Sequence, residues 1–174
     1  MRQLTDEELR ICEIQGEIFV LSIEETECSS PIFVRRYMKS RIANRMDTGM
    51  FFMEAIESSD LLEELNQEYG ATEYGKVKYP QEIMYWMGYL YRYWSYALDI
   101  RSSSIFNIAS AREMSELYAA YHTMSPEQAI ERIYEAHGMK PLDFMERQYE
   151  IMRQIIYKNE LLSPRTCSRE AGNQ

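Results

Sequence analysis

A short segment in the middle of the chain concentrates aromatic residues, with two tryptophans and six tyrosines between residues 79 and 100. At 100° per residue, its apolar positions fall on one side of a helix. The opposite side carries Tyr85, Tyr89, Arg92 and Tyr96. Pro80 favours a helix start near Tyr79, because proline lacks the N–H that a first helical turn leaves unpaired. A helix that is apolar or aromatic nearly all round is normally buried, so we predict that this helix is the central element of the fold.

The face formed by Tyr85, Tyr89, Arg92 and Tyr96 has two interpretations. Large aromatic side chains most often belong to the core. Tyrosine also suits half-hydrated interfaces, since its ring buries a large area while its hydroxyl still needs a partner. If the four side chains are exposed, we expect them to form a partner-binding or dimer face.

The rest of the sequence has patterns that are typical of helices and few that are typical of strands. Seven glycines and five prolines among 174 residues are typical of a compact helical protein. We predict an all-α single domain of six to eight helices over residues 1–163, followed by a polar, frayed tail at 164–174. The predicted helices cover residues 5–25, 31–46, 60–69, 79–100, 105–108, 110–122 and 126–137, with a short helical run at 50–56 and a last helix from Pro141.

These boundaries come from local capping patterns. Thr5 with Glu8, and Ser125 with Gln128, fit the capping box, in which a serine or threonine and a residue three positions later bond each other's backbone. Ser30 followed by Pro31 predicts the start of the helix that runs to about Met46. Residues 71–78 are the one candidate for extended structure, and support no more than a loop or a single hairpin arm.

Charge is distributed in blocks. Residues 1–30 carry two basic and eight acidic side chains, and residues 31–47 carry five basic and one acidic. Residues 48–73 carry no basic and seven acidic side chains, and in residues 74–174 the two kinds are equal in number. A basic helix therefore lies between two acidic ones. Its cations are Arg35, Arg36, Lys39, Arg41 and Arg45. We expect them to face glutamates of the neighbouring helices; a phosphate-contacting patch is the alternative, although the flanking acidic helices would repel a nucleic acid.

No catalytic, metal-binding or phosphate-binding signature is present, so the sequence predicts neither an enzyme nor a cofactor. His122 and His137 lie near predicted helix ends and lack the spacing of a zinc or di-iron site. Cys12, Cys28 and Cys167 are widely spaced and predict reduced thiols rather than a disulfide framework. No apolar run approaches the roughly 20 residues that span a bilayer, and the acidic start does not resemble a signal peptide. We therefore expect a cytoplasmic protein without a membrane partner.

Three segments carry a family resemblance: ICEIQGEIFVLS near the start, IMYWMGYLYRYWSYALDIRSSSIFNIA in the middle, and LYAAYHTMSPEQAIERI after it. Together they resemble a group of small bacterial proteins encoded beside toxin-like genes, over residues 11 to 137. The stretch SPIFVRRYMKSRIANRMDTGMFF resembles the same group. The resemblance implies an antitoxin-like role in binding another protein, and carries no catalytic residue set.

The expected function is therefore non-enzymatic: the protein neutralises or regulates a partner protein, such as a toxin or nuclease-like target, by covering its surface. A phage-type inhibitor that mimics nucleic acid, like an anti-CRISPR protein, is one alternative, because rows of carboxylates can imitate a phosphate backbone. A DNA-binding regulator that uses the basic helix at 31–46 is another. A homo-oligomer built on the tyrosine face also remains open.

Overall fold

The computed structural model describes residues 1–49 and 58–139 of the chain. These residues form eight helices and no strand: α1 (Asp6–Glu25), α2 (Ser30–Met38), α3 (Arg41–Asp47), α4 (Ser58–Tyr69), α5 (Gln81–Leu98), α6 (Ser102–Ile108), α7 (Ala111–Tyr121) and α8 (Pro126–Ala136). The prediction of an all-α single compact domain is confirmed. The predicted helical run at 50–56, the helix from Pro141 and the tail at 164–174 lie outside the described residues. Among the described helices, none combines the length and apolar content needed to cross a bilayer.

Both predicted capping boxes are present. The Thr5 hydroxyl accepts a bond from the Glu8 backbone N–H at 3.3 Å, and the Glu8 carboxylate accepts one from the Thr5 N–H at 2.9 Å. Ser125 and Gln128 repeat the arrangement at the start of α8. Each box satisfies N–H groups that the first turn leaves without an intrahelical acceptor, which is why short-range spacing was enough to locate these helices.

The prediction of one continuous helix from 31 to 46 is wrong. α2 ends at Met38, and α3 begins at Arg41. The Ser40 hydroxyl donates to the Tyr37 carbonyl at 2.7 Å and accepts from the Ala43 N–H at 3.2 Å. Serine competes with the helix for backbone groups, so Ser40 closes one helix and caps the next.

α5 lies inside the bundle, with α1, α6, α7 and α8 packed around it. Its first residue is Gln81, and Pro80 is the residue that precedes the first turn. α1 crosses α5 where two glycines meet. A Cβ added to Gly88 would lie 2.7 Å from the Gln15 carbonyl oxygen and 3.0 Å from the Gly16 Cα. The two backbones are therefore in contact, and no side chain fits between them at this point.

The segment at 71–78 is a loop attached to the start of α2. The Ser29 and Ser30 N–H groups donate to the Tyr74 and Val77 carbonyls at 3.1 and 2.9 Å. Gly75 has φ +79°, and a Cβ there would lie 2.5 Å from the Ser29 hydroxyl oxygen. The loop backbone is thus held in place, while the side chains of Tyr74 and Val77 are 73% and 60% exposed.

Candidate protein-interaction surface

The four residues predicted as a partner-binding face do not share one environment. Tyr85 is 39% exposed and Tyr89 is half-buried, whereas Arg92 is fully buried and Tyr96 is 6% exposed. The prediction is therefore corrected for Arg92 and Tyr96, which belong to the interior. The physical reason is that α1 and α3 cover the carboxyl-terminal half of this helix face, through Gln15, Ala43 and Asp47.

Arg92 is the centre of a buried polar cluster. Its Nε donates to Gln15 Oε1 at 2.9 Å, and its Nη1 donates to Asp47 Oδ1 at 2.7 Å. Its Nη2 donates to the Ser102 hydroxyl at 2.9 Å and lies 3.5 Å from the Ala43 carbonyl oxygen. Each nitrogen of the guanidinium group therefore has an acceptor within the protein, and the five N–H donors of arginine are directed at the fold rather than at a ligand.

The Asp47 carboxylate is satisfied in the same cluster. Its Oδ2 accepts from the Ser102 N–H at 2.9 Å, and its Oδ1 accepts from the Ser102 hydroxyl at 2.6 Å. The Ser95 hydroxyl lies 3.0 Å from the same Oδ1. A buried ion pair is tolerated only when its remaining hydrogen-bonding sites are filled, and this condition is met here. The cluster joins α1, α3, α5 and α6 and is structural.

The charge state of Arg92 follows from these neighbours. Burial acts to lower the pKa of Arg92, but the charge of Asp47, with smaller contributions from Tyr96 and Tyr37, raises that pKa above its ordinary value. The guanidinium carbon also lies 5.2 Å from the centre of the Tyr96 ring. Arg92 is therefore permanently charged, and the Asp47 carboxylate and the face of the Tyr96 ring stabilise this charge.

Three tyrosines on successive turns of α5 form a ladder that leads from the core to the surface. The ring centres of Tyr85 and Tyr89 are 6.4 Å apart with planes inclined by 25°, and those of Tyr89 and Tyr93 are 6.2 Å apart at 23°. At its inner end the Tyr93 hydroxyl donates to the carboxylate of Glu127 on α8. The ladder thus runs from the buried Tyr93 to the exposed Tyr85. We call Tyr85, Tyr89 and Tyr93 the tyrosine ladder.

Carboxylates border this ladder. α1 approaches it so closely that a Cβ on Gly16 would lie 2.9 Å from the Tyr85 ring. Glu17 directly follows Gly16 in α1, and Glu13 lies three residues before it. Burial raises the pKa of Tyr85, and the charges of Glu13 and Glu17 raise it further. Burial likewise raises the pKa of Tyr89 to about 12, assisted by Glu13 and Glu127 among others. The exposed end of the ladder is therefore aromatic and negatively charged.

Of the five basic residues between the acidic blocks, two contact glutamates of the neighbouring acidic helix, as we expected for the whole set. Arg45 forms a two-pronged pair with Glu64 of α4 at 2.7 and 2.8 Å. Glu68 of the same helix accepts from the Arg41 N–H at 3.0 Å, and its carboxylate lies 3.8 Å from the Arg41 side chain. These contacts support the intramolecular interpretation for Arg41 and Arg45. Both residues lie on α3, and not on one continuous helix with the other three cations.

The three remaining cations lie on or just after α2. Arg36 donates to the Gly70 carbonyl at 2.8 Å, and its guanidinium carbon lies 5.6 Å from the Tyr69 ring centre. The Lys39 ammonium lies 5.7 Å from the Phe106 ring centre, and Arg35 is exposed. The five residues therefore do not form one continuous basic face.

The histidines and the described cysteines occupy structural positions. His122 Nδ1 lies 2.8 Å from the Tyr118 carbonyl oxygen, and its ring stacks on that of Tyr118 at 4.5 Å. His137 Nε2 lies 2.7 Å from the Glu113 carboxylate on the outside of α7 and α8. Burial raises the pKa of Cys12 to about 12, which removes its thiolate at neutral pH. Within the described residues, no group of three or more His, Cys, Asp or Glu side chains could hold a metal ion.

Two features escaped sequence reasoning. Asp47 and Gln15, the partners of Arg92, are 45 and 77 residues away from it, and no local pattern connects them. The attached loop at 71–78 was predicted as a loop, but not as a fixed one that presents Tyr74. A cavity of about 430 Å³ lies beside it, lined by Cys28, Arg36 and the carboxylates of Glu25, Glu27 and Glu73 among other residues.

Comparison with known proteins gives no relative from which a role could be transferred: no protein-family model, curated protein or solved structure matches this chain.

Proposed function

We propose that this protein is a cytoplasmic, non-enzymatic binding module that neutralises or regulates a partner protein, in the manner of an antitoxin. The observation that carries the proposal is the tyrosine ladder, which continues from the core to a solvent-exposed, acid-bordered end at Tyr85. Tyrosine is enriched at protein interfaces because it gives a large contact area while fixing only two side-chain torsions. The partner is a protein with a complementary, basic surface.

Rigidity supports this proposal. The Arg92 cluster, the glycine crossing of α1 and α5, and the Trp94 indole bonded to the Tyr134 hydroxyl at 3.1 Å all fix α5 in place. A surface that is already ordered loses little conformational entropy when it binds. Free thiols at Cys12 and Cys28 are compatible with the reducing cytoplasm.

The contacts of the charged helices favour this function over the two nucleic-acid alternatives. Glu64 and Glu68, which a nucleic-acid mimic would display, are occupied by Arg45 and Arg41. The same two pairs remove Arg41 and Arg45 from any phosphate-binding patch.

The proposal is tested by co-purification of the wild-type chain with the product of the neighbouring gene, followed by reconstitution from the two purified proteins. We expect a stoichiometric complex that a Tyr85→Ala, Tyr89→Ala double variant weakens by about ten-fold or more, the size expected for an aromatic anchor. Tyr74→Ala is the matched control, since it removes an exposed tyrosine from the loop at 71–78. Failure of the wild-type chain to bind any neighbouring product, or turnover of a small compound that depends on one interior polar side chain, would contradict the proposal.

A further inference from the structure

We infer that the exposed end of the tyrosine ladder binds an arginine-bearing segment of the partner, with the guanidinium group lying on the Tyr85 ring and bonded to Glu13 or Glu17. This inference rests on the proposed function and specifies the chemistry of the partner. It is carried by three features: an available ring face, bordering carboxylates and a repeated arginine–tyrosine contact within the same molecule.

Part of the Tyr85 ring is available because the ladder ends at this residue. Tyr89 stacks on Tyr85 from one turn further along α5, and Tyr93 stacks on Tyr89. Tyr85 also contacts α1 at Gly16, yet 39% of its surface is exposed. An exposed aromatic ring held on two sides presents a fixed platform to an incoming flat group.

The bordering carboxylates determine which flat group fits. Glu17 and Glu82 are exposed, and Glu13 is paired only with the exposed Arg10, at 3.3 Å. Repulsion from these carboxylates disfavours a phosphate or a carboxylate ligand, whereas a cation is attracted. The guanidinium group is planar, stacks on aromatic faces and bonds carboxylates with its edge. A lysine ammonium group is more strongly hydrated, and it complements the negative charge of the site but not the flat surface of the ring.

The molecule contains the same contact twice. The guanidinium carbon of Arg36 lies 5.6 Å from the Tyr69 ring centre, and that of Arg92 lies 5.2 Å from the Tyr96 ring centre. In the second case a carboxylate, Asp47, completes the arrangement at 2.7 Å. At the surface, Tyr85 lies against α1 at Gly16, and the exposed Glu17 follows Gly16 directly, so a tyrosine ring and a carboxylate are present there and the partner supplies the arginine.

The test uses two synthetic peptides of equal length, an arginine–serine repeat and a lysine–serine repeat, titrated into the full-length wild-type chain. We expect the arginine peptide to bind about three-fold more tightly than the lysine peptide, and Tyr85→Ala to remove that preference. Tyr85→Phe keeps the ring and should bind like the wild type. Glu17→Gln should weaken both peptides by about two-fold.

Two variants are matched controls. Tyr74→Ala removes an exposed tyrosine elsewhere, and Glu63→Gln removes an exposed carboxylate from α4. The arginine preference should survive in Tyr74→Ala, and Glu63→Gln should leave the affinities for both peptides unchanged. Equal affinity for the two peptides in the wild type, or loss of the preference in Tyr74→Ala, would overturn the inference. If a partner protein is captured but Tyr85→Ala does not weaken the complex, the proposed function stands and this inference fails. If the peptide result holds but no partner protein is found, the proposed function fails instead.

Discussion

The two halves of α5 carry the same kinds of residue and lie in opposite environments. In the carboxyl-terminal half, every residue from 90 to 98 is buried, and Arg92 and Tyr96 lie against Asp47 and the backbone of α3. In the amino-terminal half, Tyr85 and Tyr89 continue the same stripe to the surface. Tyrosine and arginine can belong to either environment, so the position of the neighbouring helices decides which of them form the core.

Under the proposed function, this difference separates stability from binding along one helix. The buried half should determine whether the protein folds, since its polar groups have no access to water as an alternative partner. The exposed half should determine what the protein contacts and contribute little to folding. Substitutions in the two halves, and at the glycine crossing between them, test that separation.

Asp47→Ala should have the largest effect. It leaves the Arg92 guanidinium buried without its carboxylate, and removing one partner of a buried ion pair costs about 3–5 kcal/mol. Urea denaturation followed by circular dichroism measures the loss in the free energy of unfolding. The Arg92→Met, Asp47→Leu double variant should recover part of it. A loss below about 1 kcal/mol in the single variant would show that the cluster is not a structural centre.

Alkaline pH should destabilise the buried half. Burial raises the pKa of Tyr96 to about 12, against about 10 in the unfolded chain. The unfolded state therefore loses this proton first, so the stabilisation is complete below about pH 10 and is lost as pH rises towards 12. Tyr96→Phe should reduce this loss in the free energy of unfolding by on the order of 2 kcal/mol. Parallel slopes for the wild type and Tyr96→Phe between pH 9 and 12 would contradict the burial of this hydroxyl.

Gly88→Ala should be destabilising, although alanine is the better helix former. Its Cβ would lie 2.7 Å from the Gln15 carbonyl oxygen, which would push α1 away from α5 at a cost of about 1–3 kcal/mol. In an exposed helix the same change stabilises by about 1 kcal/mol, so the sign of the effect is diagnostic. A rise in the midpoint of thermal unfolding would show that the helices do not cross closely at this glycine.

Tyr85→Ala should have the smallest effect on folding. Surface substitutions usually change stability by less than about 0.5 kcal/mol, and Tyr85 makes its contacts at the edge of the bundle. Chemical denaturation of this variant beside the wild type checks the value. A loss in the free energy of unfolding as large as that of Asp47→Ala would show that Tyr85 stabilises the fold as much as a core residue does. The distinction between the two halves of α5 would then be wrong.

Local patterns were sufficient for most of the fold. Thr5 and Ser125 could be assigned as caps because each bonds to a residue three positions away. The break at Ser40 was missed because apolar and basic residues alternate on both sides of it, and a single serine, although unfavourable inside a helix, is often tolerated there. The hydrogen bonds of Ser40 ended the helix although the periodic pattern of the sixteen residues from 31 to 46 predicted that it continues.

The site could be predicted only in part. Tyr85, Tyr89, Arg92 and Tyr96 were correctly placed on one face of α5, because that depends only on helical geometry. Their division into core and surface depends on Asp47, Gln15 and Ser102, which reach Arg92 from three other helices. Contacts between residues this far apart in sequence are set by the packing of the whole chain, and one sequence does not contain a pattern that reveals them.

The most direct test of this account is an NMR titration of the wild-type chain labelled with ¹³C in the tyrosine rings, with single tyrosine-to-phenylalanine variants to assign the signals. The ring signals of Tyr85 and Tyr89 should shift as the arginine–serine peptide is added, while those of Tyr91 and Tyr96 should stay in place. Shifts at Tyr91 and Tyr96 with none at Tyr85 would contradict the assignment of binding to the exposed end of α5 and of structure to its buried end.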